Sequence, residues 1–185
     1  QTGGLFCRFI GGWMVNSVKR HLADSPADEL NEFKTIVFSC SLGHKRYILA
    51  DLIKDEDPQV QEMAAAHPNV YPESLGEAAQ NEDTAAVVKL AIALNPVAPD
   101  YALQILSESD DPQIRKNVAK HLNTPLPTLE KLAQDQETQI REKVAENPAT
   151  SAEILNKLAT DAGEWVRHAV ASHANTPLTT LEKLY

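Results

Sequence analysis

The sequence predicts an all-α protein: a solenoid of two-helix repeats of about 26 residues, behind an N-terminal helical cap. Three observations predict it. Segments recur at a fixed 26-residue step, their apolar residues keep helical spacing, and most prolines fall at the joints between segments. Aromatic residues are scarce while Ala and Leu abound, which favours helices packed through small aliphatic side chains over a β-sandwich.

Residues 1–24 are read as the cap. Leu5, Phe6, Phe9, Ile10, Trp13 and Met14 form the apolar stripe of a helix over residues 5–20, suited to covering the first repeat. With only Arg8, Lys19 and Arg20 to meet headgroups, that helix is a poor membrane-surface element, and no run of the chain is long and apolar enough to span a bilayer. Ser25-Pro26-Ala27-Asp28 opens the next helix, with Ser25 as N-cap and Asp28 near the positive helix end.

Residues 25–185 are read as the solenoid, one degenerate and five recognisable repeats, the last incomplete. The degenerate copy has Leu49 and Leu52 at its leucine positions. The clearest copies are Ile114-Arg115-Lys116-Asn117-Val118-Ala119, Ile140-Arg141-Glu142-Lys143-Val144-Ala145 and Val166-Arg167-His168-Ala169-Val170-Ala171, 26 residues apart. Weaker copies start at Val60-Gln61 and Ala86-Val87. Equivalents of Arg115 are thus read at 61, 87, 141 and 167, which places one two-residue insertion near Pro96–Pro99. The last copy reaches Leu184-Tyr185 where its siblings continue Leu-Ala-x-Asp. An uncapped apolar end leads us to expect further repeats in the native protein or end-to-end association.

Each unit is physically readable. Ile-Arg-x-x-Val-Ala puts apolar residues at i, i+4 and i+5, one stripe of a short helix. Asn-Thr-Pro breaks it, with Thr124 and Thr176 placed as N-caps and Pro125 and Pro177 at the first position of the next helix. Leu129-Glu130-Lys131-Leu132-Ala133 and its counterparts form the second helix. Helices of about eight to ten residues cannot bury their faces alone, so neighbouring units must stack.

The pattern Val/Ile-Arg-x-x-Val-Ala-x-His/Asn-x-x-Thr-Pro…Leu-x-x-Leu-Ala-x-Asp resembles the leucine-rich repeat variant (LRV) family. The resemblance is close over residues 112–185 and looser over 56–111. It implies a right-handed α-solenoid of paired short helices without strands. The family's founding member is associated with an N-terminal iron–sulfur cluster. Cys7 and Cys40 cannot supply four ligands, so the cluster is not carried over. Two reduced, buried thiols suit a cytoplasmic location.

Two ladders run through the repeats. Arg115, Arg141 and Arg167 either line a face that grips an acidic partner or hold the units together, pairing with the aspartates six residues earlier, Asp135 with Arg141 and Asp161 with Arg167. His67, His121, Asn147 and His173 form a polar ladder, broken at Ala93, whose natural role is bonding loop carbonyls; residues one repeat apart cannot converge on a metal ion. Trp165 stands near Asp161 and Arg167, a grouping similar to that of helical-repeat DNA glycosylases for alkylated bases.

No phosphate loop, nucleophile elbow or paired metal-ligand motif is present, so we expect a non-enzyme with no catalytic residue, metal or cofactor. The net charge is −9, and residues 25–185 carry −11 of it, which repels nucleic acid unless a basic face is segregated. The expectation is a scaffold for a protein or peptide partner, with Arg115, Arg141, Arg167 and Trp165 as candidate contacts. The alternative is a nucleic-acid-binding protein of the glycosylase type.

Overall fold

Side chains at fixed places start some helices of the array and close others. Asp57 and Asp111 each accept the backbone N–H two residues on (Gln59, 2.9 Å; Gln113, 2.8 Å), with Pro58 and Pro112 at the first helical position, where a missing N–H costs nothing. The computed structural model describes residues 42–184, and these hold eleven helices and no strand. Helix α1 (Leu42–Leu52) is the second helix of the degenerate unit. Five pairs follow: α2 (Pro58–Ala66) with α3 (Pro72–Gln80), α4 (Ala86–Leu94) with α5 (Asp100–Leu106), and α6 (Pro112–Lys120) with α7 (Leu126–Leu132). The array continues through α8 (Thr138–Glu146) with α9 (Ala152–Leu158) and α10 (Glu164–Ser172) with α11 (Leu178–Leu181). The cap over 1–24, Ser25, Cys7 and Cys40 lie outside the described residues.

First helices stack on first helices, α2 on α4, α4 on α6, α6 on α8 and α8 on α10, and α3 packs on α5 in the second row. The core runs between the rows. Leu49, Leu75, Leu103, Leu129 and Leu155 are fully buried in one column, and Val60, Val88, Ile114, Ile140 and Val166 form another. Each such side chain contributes about 1.5–3 kcal/mol by leaving water. Small residues set the spacing of the first row, where Ala65, Ala93, Ala119 and Ala145 are buried at one repeat position. Gly76 does the same for α3, because a β-carbon there would overlap the Tyr101 ring.

These columns correct the register of the second repeat. Val88, Ile92 and Ala93 are buried as Ile114, Val118 and Ala119 are, so the equivalent of Arg115 is Lys89, not Val87. The side chains agree: Gln61 donates to the carbonyl of Asp55, Lys89 to that of Glu82 and Arg115 to that of Ser109, each reaching the loop before its helix. The two extra residues therefore lie in α3, well before Pro96. That helix has nine residues where the second helices after it have seven or fewer. Its exit copies the turn that ends first helices: Thr84 Oγ1 donates to the Ala78 carbonyl six residues back, as Thr124 does to Val118.

The Thr-Pro joints also work differently from expectation. Thr124, Thr150 and Thr176 do not cap the second helix. Each donates through Oγ1 to the carbonyl six residues earlier (Val118, Val144, Val170; 2.6 Å in all three), closing the first helix instead. Pro125 and Pro177 take the N-cap position, and α7 and α11 begin at Leu126 and Leu178.

The polar ladder is unbroken. Asn95 fills the place assigned to Ala93, giving His67, Asn95, His121, Asn147 and His173, each the residue that ends its first helix. Asn95 Nδ2 donates to the carbonyls of Ala65 (2.5 Å) and His67 (3.2 Å), and Asn147 Nδ2 to those of Ala119 (2.7 Å) and His121 (3.0 Å). The histidines do the same with one donor. Nδ1 of His121 accepts the Asn123 N–H, which puts the ring proton on Nε2, 2.9 Å from the Asn95 carbonyl oxygen; His173 repeats this on Asn147. Asn123 and Asn175 reach back beside them to the previous turn.

Asn147 is 2% exposed and also accepts the Ala149 N–H, so its side chain serves three backbone groups. Asn147→Ala takes the side-chain partner from the Ala119 carbonyl and the Ala149 N–H and one of two donors from the His121 carbonyl, and urea denaturation should read a loss of about 2–4 kcal/mol. A loss below about 0.5 kcal/mol, the scale of a neutral surface change, would remove the ladder as the stacking element.

Candidate binding surface

The repeat divides its polar residues between two places. At the unit boundaries, Arg115 Nε and Nη2 hold both oxygens of Asp135 (2.8 and 3.2 Å), and Arg141 holds Asp161 in the same bidentate way (2.7 and 3.0 Å). Their Nη1 atoms turn back to the preceding loop: Arg115 to the carbonyls of Ser109 and Asp110, Arg141 to those of Asp135 and Gln136, Arg167 to those of Asp161 and Ala162. The six-residue pairing read from the sequence thus exists, but through the aspartate's carbonyl. Its carboxylate belongs to the arginine twenty residues earlier, so each of these loops is clasped from both sides.

These carboxylates are mostly buried, at 9% exposure for Asp135 and for Asp161. Burial works against ionisation of Asp135, but Arg115, the Glu137 backbone N–H and the Arg141 charge outweigh it and hold the carboxyl below the usual carboxylate range. For Asp161 the Arg141 hydrogen bonds lead; burial opposes them, and the Gly163 N–H and the charges of Arg141 and Arg167 complete the lowering. The partner guanidiniums are raised in turn, each chiefly by its aspartate. With Nε, Nη1 and Nη2 all engaged, Arg115 and Arg141 are occupied within the fold. The groove beside Arg115 is lined by Glu108, Asp110, Glu130, Asp135 and Glu137.

The second place is the outer face of the first-helix row, where successive repeats differ. One column reads Val87, Gln113, Gln139, Trp165; another reads Leu94, Lys120, Glu146, Ser172. Leu94 (60% exposed) and Leu122 (70%) flank a hollow of about 310 Å³ with Pro96, Lys120 and His121. Trp165, 63% exposed, opens on a larger hollow of about 730 Å³ with Glu142, Glu146, Pro148, His168 and Asn175. Its lining includes neither Asp161 nor Arg167, so the three residues grouped by sequence do not share one hollow. The register slip in repeat two hides the position that Val87 shares with Trp165, and the exposed Leu94 and Leu122 carry no repeat signal in the sequence.

Among solved structures, the chain is similar to one described as a leucine-rich repeat variant with a novel repetitive protein structural motif, at a TM-score of 0.57. The chain has the LRV fold. The likeness covers 92% of this chain and 75% of that one at 24% identity, so it speaks for architecture alone. No family model matches the sequence, and no curated protein matches it. Among the described residues of this LRV-type array, no helix is long and apolar enough to cross a membrane.

The clasps give the array a defined acid response. A carboxylate whose folded pKa is held below its unfolded value contributes stability that is complete above about pH 4 and disappears as pH falls through the folded value. Asp135→Asn with Asp161→Asn should cost about 2–4 kcal/mol at pH 7, at about 1–2 kcal/mol per clasp, and the difference from wild type should shrink as pH falls below the usual carboxylate range. Urea melts across that range read both. A constant offset between the two curves at every pH would show that the clasps do not depend on ionisation.

Proposed function

We propose that the chain is a non-enzymatic scaffold that binds a protein or peptide partner along the outer face of its first-helix row. One observation carries this reading: Val87, Leu94 and Trp165 are large, apolar and exposed on the first-helix row, and Leu122, in the turn after α6, shares the hollow beside Leu94. They sit at repeat positions that the stacking leaves free to vary. Apolar residues gathered on one face mark interaction sites far more than isolated ones do, and tryptophan is enriched among residues that dominate interface energies. A solenoid extends such a face over several units, which suits an elongated partner.

The arginine ladder supports the reading by subtraction. Arg115 and Arg141 have carboxylates in their forks, and acids line the groove beside Arg115. That leaves little positive potential for a phosphate backbone, on which affinity for nucleic acid depends. Of the four residues singled out in the sequence, Trp165 is the one this surface uses.

Selection of a random peptide library on the immobilised chain should yield binders that weaken at least about tenfold on Leu94→Glu with Leu122→Glu, the scale of a hot-spot loss. Both positions are exposed, so the melting temperature should stay within a few degrees of wild type. Binders indifferent to the double substitution would refute the choice of face, and repeated selections without specific binders would refute the scaffold reading itself.

A further inference from the structure

We infer that the hollow beside Trp165 receives a single basic side chain, lysine or arginine, from the partner polypeptide. The inference rests on the scaffold reading and names the partner's chemistry at one point. Trp165 supplies an aromatic face. Its ring neighbour among the described residues is His168, edge-on at a centroid distance of 6.2 Å and an interplanar angle of 66°, and the indole remains 63% exposed. Of the aromatic side chains, the indole attracts a cation most strongly, through its ring quadrupole.

Charge selects the ligand further. Glu142 and Glu146, on successive turns of α8, line the same hollow. Lys143 donates to Glu142 Oε1 (3.0 Å) and Glu146 Oε2 (2.7 Å), which fixes both carboxylates and neutralises one of the two charges. One negative charge remains, and Glu142 Oε2 and Glu146 Oε1 are left without a hydrogen-bond partner among the described residues. A guanidinium or ammonium lying on the indole would find those oxygens at its rim, whereas a carboxylate would be repelled and a neutral aliphatic chain would leave the acids unused.

The same face limits the ligand to one charge. One repeat earlier, the positions of Glu142 and Glu146 are held by Lys116 and Lys120. Stacked helices lie about 8–10 Å apart, within about one Debye length at physiological salt, so a run of basic residues along the row would meet these cations. A partner with a lone basic residue at Trp165 and acidic or apolar residues toward Lys120, Leu94 and Leu122 fits the row. A polycation does not.

The test uses the full chain with Trp13→Phe, which leaves Trp165 as the sole indole. Nα-acetyl-arginine amide is titrated while the indole N–H resonance is followed by NMR, and its citrulline analogue serves as the neutral isostere. The arginine probe should shift the resonance saturably and bind about two- to fivefold more tightly than citrulline. Glu142→Gln with Glu146→Gln should narrow that preference to the part the indole alone supplies. Equal binding of the two probes, an indole that responds to neither, or a preference that the double substitution leaves unchanged would each overturn the inference. Peptides captured on the first-helix face without need of a basic residue would leave the scaffold reading standing and this inference refuted. Selective arginine binding by a chain that captures no peptide would do the reverse.

Discussion

A first helix of nine residues ends with carbonyls that its own turn cannot satisfy, and the fold depends on how the next repeat takes them. In this chain the side chain that ends one first helix reaches back to the end of the helix before it. Asn95 and Asn147 use two amide donors for the task, and His121 and His173 use one ring N–H with Asn123 and Asn175 alongside. Buried backbone carbonyls without partners cost more than most contacts return. A stack shifted by one residue would lose these bonds throughout the array. The ladder thus specifies the register, while the leucine and valine columns supply the driving force.

The arginine clasps act at the opposite end of the same helices, where a helix begins and the preceding unit finishes. Each aspartate of a clasp turns its own loop, through the N–H two residues on, and holds the arginine of its own unit, while its carbonyl receives the arginine of the next. Arginine suits this role because a rigid fork can grip a carboxylate with two donors and still spend a third elsewhere, which a lysine ammonium cannot do in plane. Lys89 illustrates the difference: it reaches the earlier loop through one bond of 3.3 Å and has Ser109 where later repeats have an aspartate. The full clasp is thus formed by Arg115 and Arg141, in two of the repeats that are most regular in sequence.

That regularity explains what could be read from the chain alone. The 26-residue step, the pairing of helices and the stacking role of the histidines and asparagines all follow from residues that recur. The failures fall where recurrence gives no purchase. Repeat two is apolar nearly all round, from Ala86 through Leu94, so sliding it by two residues keeps the pattern, and only Asn95 marks the true register. Thr-Pro before a leucine is an N-cap signal on local grounds. The Thr124 hydroxyl instead answers a carbonyl that the preceding helix leaves open, which a linear pattern does not display. Six residues is close along the chain, which pairs Asp135 with Arg141 on the linear pattern. In a two-helix unit, though, twenty residues bring the chain back beside its own first helix, and that distance won for the carboxylate.

The candidate binding surface is the least legible part, and the reason lies in the architecture. A repeat position that every unit fills in the same way is generally held by its neighbours, as the leucine column, the Thr hydroxyls and the clasped arginines are. Recognition of a specific partner needs the opposite, positions at which units differ and which no neighbour claims. On the first-helix row, the column Val87, Gln113, Gln139, Trp165 meets that condition at its two ends, Gln139 being held by Lys116, and the column Leu94, Lys120, Glu146, Ser172 differs in every unit. Neither contributes a hydrogen bond to the ladder or a side chain to a clasp. A search for self-similarity discards such columns as noise, and only the stacked structure shows that the noise lies on one face.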